Sequence, residues 1–106
     1  MPVVSLKKEH EFDRVFKEGT RHSRKWISVI IRRGDVSTKL GIVINKKFGC
    51  AARRNRAKRL IREAFKRVVD KLRNPAEIIV IPKKDAALAG IRELEEDLGS
   101  LILGRS

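Results

Sequence analysis

The sequence predicts one α+β domain, residues 1–106, in which helices pack on a small mixed β-sheet in the order α-β-β-β-α-β-α. Three observations lead to this fold class. The 106 residues suffice for one modest core. Three stretches repeat apolar residues at the three- and four-residue steps of a helix, and runs of β-branched residues lie between them. No internal repeat or linker divides the chain.

The first predicted helix covers residues 8–18. Its apolar residues share one face, and they are Phe12, Val15 and Phe16. Ser5 offers an N-cap, and Gly19 can end the helix. A short strand is then expected near residues 20–23, before the longer strands begin.

Three longer strands follow from runs of β-branched residues. The run at residues 25–33 predicts the first of them. Gly34 and Asp35 form a turn, and residues 38–46 predict a second strand that is antiparallel to the first. Residues 77–82 are almost continuously apolar, which is typical of a strand buried on both faces.

Two more helices are predicted in the second half of the chain. Residues 51–73 form the longest, which should end before Pro75 because proline disfavours helical geometry in the residue that precedes it. Asp85 can cap a final helix. The apolar face of that helix repeats at three- and four-residue steps, at Leu88, Ile91, Leu94, Leu98 and Leu101.

The chain carries a formal net charge of +13, far above what solubility requires. Such a charge indicates a polyanionic partner, most often nucleic acid, with an anionic membrane surface as the other candidate. Residues 51–73 hold 10 basic and 2 acidic side chains, whereas residues 85–106 hold 2 and 5. The partner should therefore meet the middle and the N-terminal half of the chain.

The sequence does not indicate a membrane span, an intramolecular disulfide, a secretory segment, a zinc site or a catalytic apparatus. No apolar run approaches the roughly 18–20 residues that a membrane span needs. The single cysteine, Cys50, cannot form an intramolecular disulfide, and the chain shows no secretory segment, so we expect a reducing compartment, the cytoplasm. Cys50 is expected to be a small buried residue. No cluster of histidine, cysteine and carboxylate residues indicates a zinc site or a catalytic apparatus.

The long helix has two different faces when its residues are placed at intervals of about 100°. One face is apolar. The opposite face holds cations and one amide, at Asn55, Lys58, Arg59, Arg62, Lys66 and Arg73. The first turn adds Arg53, Arg54 and Arg56, where the helix N-terminus itself favours anions. A solvated face with ion pairs is the alternative, but ten cations against two anions would repel one another, so we favour polyanion binding.

The aromatic residues leave two interpretations open. Phe12 and Phe16 have the spacing of core contacts, which spacing alone favours, but they could also form a platform for unstacked bases. Trp26 could pack half-buried or stack on a nucleotide. Lys46 and Lys47 precede a glycine loop and can contact a phosphate backbone.

Two segments together resemble a known family. Residues 46–65, with Arg54-Asn55-Arg56 followed by Lys58, Arg59, Arg62 and Phe65, closely resemble the signature of the bacterial ribonuclease P protein component. Residues 11–19, with paired phenylalanines and a closing glycine, look like the first helix of that family. The likeness extends over residues 6–82.

The resemblance implies a small basic subunit that binds a large catalytic RNA, the ribonuclease P RNA. The holoenzyme removes the 5′ leader of precursor tRNA by magnesium-dependent hydrolysis. The RNA performs the chemistry and holds most of the Mg²⁺, so the resemblance implies no catalytic residue, no metal ligand, no small-molecule substrate and no membrane partner for this chain. It also implies a fold like the second domain of ribosomal protein S5, with a left-handed crossover around the long helix.

The resemblance also assigns residues by position. Those expected to face the catalytic RNA are Arg53, Arg54, Asn55, Arg56, Lys58, Arg59, Arg62 and Lys66. Those expected to contact the leader are Phe12, Phe16, Trp26, Lys46 and Lys47, which reverses the preference for Phe12 and Phe16 as core. The chain departs from the family pattern at Ser5, where a basic residue is common, and at Val29 and Ile30, where an aromatic residue is common.

Two other functions remain as alternatives. A non-catalytic RNA-binding module, such as a small ribosomal protein or an RNA chaperone, could use the same basic helix. An autonomous nuclease would have to cut RNA without an RNA partner, and the sequence offers no carboxylate or histidine arrangement for that reaction.

Overall fold

A five-stranded β-sheet separates one helix from two others. The computed structural model describes residues 3–34, 37–45 and 48–104. Along the chain the elements are β1 (Val3–Ser5), α1 (Glu9–Glu18), β2 (Thr20–Ser23), β3 (Ile27–Arg33), β4 (Thr38–Ile42), α2 (Ala51–Val69), β5 (Ala76–Pro82), a 3-10 helix (Lys84–Leu88) and α3 (Ile91–Leu103). The strand order in the sheet is β1-β4-β5-β3-β2.

Strand β5 lies at the centre of the sheet. It pairs antiparallel with β3, where Ile27 lies opposite Pro82, and parallel with β4, where Leu40 lies opposite Ile78. The prediction of a strand buried on both faces is confirmed, because β5 is almost entirely buried. The strands β3 and β4 run antiparallel, as predicted, but they are not neighbours because β5 lies between them.

Strands β4 and β5 are adjacent and parallel, and α2 connects them. A parallel pair needs such a crossover because the chain must return to the same end of the sheet before the second strand can start. This arrangement agrees with the α+β fold expected from the sequence. The left-handed sense of the crossover stays a prediction.

Alternate residues of the central strands point to opposite faces of the sheet, as the period of a strand requires. Val29 and Ile78 join the large apolar cluster beneath α2 and α3. Ile30 and Ile79 join a smaller cluster on the other face, together with Val15 of α1. A single helix, α1, contributes to that second cluster among the described residues, so part of this face stays open.

Several boundaries in the first part of the chain and in α2 differ from the predictions. Strand β3 begins at Ile27 and not at residue 25, and β4 ends at Ile42 and not at residue 46. The N-cap of α1 is Lys8 and not Ser5, because Ser5 belongs to β1, a three-residue edge strand that the sequence pattern did not predict. Helix α2 ends at Val69 and not at residue 73. The N–H groups of Lys71 and Leu72 donate to carbonyls three residues earlier, so the last turn is tighter than an α-helix.

The final helix begins later than predicted. Asp85 lies in the 3-10 helix, and the N-cap of α3 is Gly90. Leu88 is therefore not part of the helical apolar face and is 84% exposed. Leu94 and Leu98 are buried, as the periodicity predicted. Ile91 and Leu101 are only half-buried, and Ile102, which was not predicted, is buried.

Gly19 ends α1, as predicted, but through close packing and not through a left-handed conformation. Its φ is −82°, a value that any residue can adopt. A Cβ atom at this position would lie 2.6 Å from the carbonyl oxygen of Val15 and 2.7 Å from Cγ2 of Ile30. The missing side chain lets the end of α1 lie directly on β3, which fixes α1 on the open face of the sheet.

Candidate nucleic-acid interface

Helix α2 has one buried and one exposed side, as its periodicity predicted. The residues that face the core are Ala57, Ile61, Ala64, Phe65, Val68 and Val69. The other side carries the cations, and the first turn holds no acidic residue. The apolar register thus fixes which side chains of α2 can meet a partner.

Three cations of α2 line a cleft between this helix and the edge of the sheet. The side chains of Lys58, Arg62 and Lys66 follow one another along its wall at four-residue steps. The opposite wall comprises Phe12 of α1 and residues 40–42 of β4, and the cleft has a volume of about 260 Å³. Apolar and cationic groups therefore face each other across a narrow space.

Glycine in β4 is necessary for the shape of this cleft. A Cβ atom on Gly41 would lie 2.6 Å from Cε1 of Phe12 and 2.9 Å from Cδ1 of Leu6. The bare backbone of β4 therefore lets the ring of Phe12 lie directly on the strand. Phe12 is half-buried in this position, whereas Phe16, one turn further along α1, is 44% exposed.

A second cleft continues the first towards the start of α2. It is lined by Arg54, Asn55 and Lys58 on one side and by residues 42–44 on the other. Because Lys58 and Ile42 border both clefts, the two clefts are adjacent, and we call them together the basic groove. From Arg54 to Lys66 it follows α2 for about 18 Å.

Arg54 offers an unused donor in this groove. Its Nε atom is buried and has no hydrogen-bond partner within the described part of the chain. A buried donor without a partner costs free energy, so an incoming acceptor would be stabilised there. Arg59 is exposed beyond the rim of the groove, at the outer side of α2.

The remaining cations of α2 lie apart from the groove. Nη1 of Arg56 donates to the carbonyl oxygen of Ala87 at 3.3 Å, which ties α2 to the 3-10 helix. Nη1 of Arg67 lies 3.3 Å from Oε2 of Glu95 on α3. Arg53 is exposed, and its Cδ lies within 2.9 Å of the Cβ position of Gly49. Of the stripe predicted from the sequence, Asn55, Lys58, Arg62 and Lys66 line the groove, Arg59 lies outside it, and Arg73 lies beyond the end of α2.

The residues expected to contact the leader are only partly brought together. Phe12 and Phe16 both belong to α1, beside the basic groove. Trp26 packs on the other face of the sheet, against the apolar clusters of α2 and the 3-10 helix. Its ring is half-buried, and Nζ of Lys25 lies 4.8 Å from the ring centroid. Lys46 and Lys47 lie outside the described residues.

Sequence reasoning missed a group of charges on the open face of the sheet. Glu77 of β5 is 1% exposed. Its Oε1 atom lies 2.7 Å from Nη1 of Arg32 and 3.5 Å from Nη2 of Arg14, and its Oε2 atom lies 3.9 Å from Nζ of Lys39. The only signal in the sequence is one carboxylate within an apolar strand, which in a buried position requires cationic partners.

The same group of charges raises the pKa of Arg32. Burial lowers the pKa of Arg32, but hydrogen bonds to the carboxylates of Glu18 and Glu77 outweigh this effect and raise the pKa above its ordinary value. The guanidinium is a cation at every physiological pH, and these two carboxylates hold it on the open sheet face. This charge lies beside α1, the helix that carries Phe12 and Phe16.

Cys50 differs from its predicted environment. It is exposed at the N-cap of α2, and not buried, because the helix begins directly after it. The backbone N–H of Arg53 lowers the pKa of the Cys50 thiol, since an N–H group at a helix N-terminus stabilises a thiolate.

Two kinds of feature are not found in residues 3–34, 37–45 and 48–104. No three histidine, cysteine or carboxylate side chains come together in a way that could hold a metal ion. No helix there combines the length and the apolar character that crossing a membrane requires.

A family model and a known relative both match this chain over most of its length. The family model described as Ribonuclease P matches residues 2–104. The ribonuclease P protein component of Desulfosudis oleivorans is 43% identical over 108 residues, which span 95% of this chain and 89% of that protein.

Solved structures match over most of both chains. The RNase P protein from Thermotoga maritima superimposes with a TM-score of 0.81 at 33% identity, covering 92% of this chain and 94% of the other. A Staphylococcus aureus RNase P protein mutant, described as defective in mRNA degradation activity, superimposes with a TM-score of 0.80 at 30% identity. That match covers 94% of this chain and 85% of the other.

Proposed function

This chain belongs to the ribonuclease P protein family, and on that premise we propose that it binds the catalytic RNA and the 5′ leader of precursor tRNA and assists removal of the leader. The observation that carries this proposal is the basic groove, in which cations of α2 face the ring of Phe12. A single-stranded nucleic acid needs both kinds of contact, cations for its phosphates and apolar rings for its bases.

The proposal gives different roles to the two walls of the groove. Lys58, Arg62 and Lys66 neutralise phosphates of the ribonuclease P RNA, because each is a cation on the wall formed by α2. Phe12 and the exposed ring of Phe16 offer apolar surface to bases of the leader. The exposed Arg59 and the first turn of α2 face the ribonuclease P RNA.

The proposal leaves the chemical step to the RNA subunit. Water activation and stabilisation of charge on the phosphate belong to Mg²⁺ held mainly by that RNA. The protein contributes binding energy and reduces repulsion between two polyanions, which lowers the magnesium concentration that the RNA requires. The proposed site of this activity is the cytoplasm, where precursor tRNA is available.

Cleavage of precursor tRNA at low magnesium tests the proposal. A bacterial ribonuclease P RNA is assayed with and without this protein, and the protein alone is the control. We expect cleavage at the mature 5′ end only when both components are present. No stimulation of a properly folded RNA would contradict the proposal and favour a ribosomal protein or an RNA chaperone.

The protein-only control answers a separate question. The description of the Staphylococcus aureus mutant attributes mRNA degradation activity to that relative. If this chain alone cleaves an mRNA fragment, it has an activity that does not depend on the RNA subunit. We expect none.

Replacement of Phe16 tests the leader assignment. We expect Phe16→Ala to weaken binding of leader-bearing precursor tRNA about tenfold and to leave mature tRNA binding unchanged, since stacking of one base on a ring contributes about 1–3 kcal/mol. Affinities of the holoenzyme for both RNAs measure the effect. Leu88→Ala is the matched control, because it removes another exposed apolar side chain. Equal losses for both RNAs would contradict the assignment.

A further inference from the structure

The topology gathers three chain segments at one end of the sheet. Strand β5 ends where its antiparallel neighbour β3 begins, so Pro82 lies opposite Ile27. The backbone N–H of Lys83 donates to the carbonyl oxygen of Trp26 at 2.9 Å, which joins the two segments. Helix α2 starts at the same end, because it runs back from the end of β4, which is parallel to β5.

Cations accumulate at this end of the molecule. Those that are exposed and belong to the three joined segments are Arg24, Lys25, Lys83, Lys84 and Arg56, and we call them the basic end. Arg56 belongs to it because its guanidinium contacts the 3-10 helix that follows Lys83. Lys25, Lys83 and Lys84 make no ion pair with any carboxylate of the described residues.

Asp85 and Asp97 lie in or beside the basic end and offset only part of its charge, because Asp97 pairs with Arg24 alone among the described residues. Asp97 of α3 is buried, and its Oδ2 atom accepts the backbone N–H of Trp26 at 2.8 Å. Its Oδ1 atom lies 3.5 Å from Nε of Arg24. Asp85 is exposed and is the other carboxylate. Asp97 therefore mainly stabilises the turn between β2 and β3, through its hydrogen bond to the backbone of Trp26.

The basic end lies on a fixed support. Beneath it, Trp26 packs with Phe48, Ala57 and Ala86 in an apolar cluster that joins β3, α2 and the 3-10 helix. Because the chain segments are packed and hydrogen-bonded to one another, the backbone positions that carry these cations keep a defined spacing. The indole ring is half-buried in this support, so this end offers cations and not a free aromatic surface.

We propose that the basic end is a second RNA-contact surface, which binds the phosphate backbone of the folded partner RNA independently of the basic groove. This inference rests on the proposed function, because the partner is taken to be ribonuclease P RNA. Lys25, Lys83 and Lys84 pair with no carboxylate of the described residues, and this end has no exposed ring, so it suits phosphates and not unstacked bases. The groove and the basic end lie on different sides of the first turns of α2, so one RNA can contact both.

The variant Lys83→Gln/Lys84→Gln tests this surface. Both side chains are exposed, and the contact of Lys83 with Trp26 uses only its backbone, so the fold should persist. We expect the slope of log affinity against log salt for ribonuclease P RNA to become shallower by about 1.8, which corresponds to two lost phosphate contacts. The preference for leader-bearing over mature tRNA should not change.

Lys71→Gln/Arg73→Gln is the matched control. It removes the same charge from exposed positions beyond the C-terminal end of α2, at the opposite end of the helix. An equal change of slope in both variants would overturn the proposal, because only net charge would then matter. An unchanged slope in Lys83→Gln/Lys84→Gln would also overturn it.

The outcomes separate this inference from the proposed function. If the unaltered chain stimulates cleavage at low magnesium but Lys83→Gln/Lys84→Gln keeps the salt slope of the unaltered chain, the inference fails and the proposed function stands. If the unaltered chain neither binds the RNA nor stimulates cleavage, both fail. A slope change confined to Lys83→Gln/Lys84→Gln supports the second surface.

Discussion

Reversing the charges of Lys58 and Arg62 together should lower the affinity of the chain for ribonuclease P RNA about 100-fold. Each charge-assisted hydrogen bond contributes about 1.5–3 kcal/mol, so two of them account for roughly 3 kcal/mol, or two orders of magnitude. The variant Lys58→Glu/Arg62→Glu also places two carboxylates on the wall of the basic groove, where they repel phosphates. Fluorescence anisotropy at a fixed salt concentration measures the affinity.

Lys71→Glu/Arg73→Glu is the control for this experiment, because it changes the net charge equally outside the groove. We expect it to lower the affinity much less. If both variants bind equally weakly, the position of the cations does not matter and the groove loses its assigned role. Circular dichroism spectra of both variants establish that each is folded.

Replacing Glu77 with glutamine should lower the free energy of unfolding by about 3 kcal/mol, because removing one partner of a buried ion pair leaves the opposite charges uncompensated. Glu77 is surrounded by Arg14, Arg32 and Lys39. The loss should lie at the lower end of the range for buried pairs, because Arg32 keeps a contact with Glu18. Urea unfolding monitored by fluorescence of the single tryptophan gives the free energy.

Glu96→Gln is the control for the buried carboxylate. Glu96 is exposed on α3, so its neutralisation should change the free energy of unfolding by less than about 0.5 kcal/mol. A loss in Glu77→Gln no larger than that of the control would mean that the charges on the open face of the sheet contribute nothing to stability.

Local patterns predicted the elements that form the candidate site. The register of α2 could be read from the sequence because its apolar residues keep a helical period across nineteen residues. The burial of β5 followed from its continuous apolar run. Both signals are contained within one segment, so they do not depend on which segments become neighbours.

Pairings between distant segments could not be predicted in this way. The strand β1 has three residues, too few for a period to appear, and it is fixed by parallel pairing with β4. The charges around Glu77 come from α1, β3 and β4, so no single window of sequence contains them. The position of Asp97 beside the turn at Trp26 likewise depends on how α3 packs.

The sequence indicated the cations of the candidate site, but it did not indicate the shape of the groove. The basic face of α2 indicated the partner class, yet it did not show which cations share a wall with Phe12. That depended on Gly41, whose missing side chain makes room for the ring. Trp26 was grouped with the phenylalanines because all are aromatic, whereas the sheet places them on opposite faces.

The central position of β5 has a consequence for synthesis of the chain. Its two neighbours, β3 and β4, leave the ribosome first and have a gap of one strand between them. Neither can complete its hydrogen bonds until β5, which ends at Pro82, has been made and has left the ribosome. The sheet therefore closes late, through contacts between distant segments that form slowly. During that delay the basic helix α2 is already made and is exposed to cellular RNA before its own core exists.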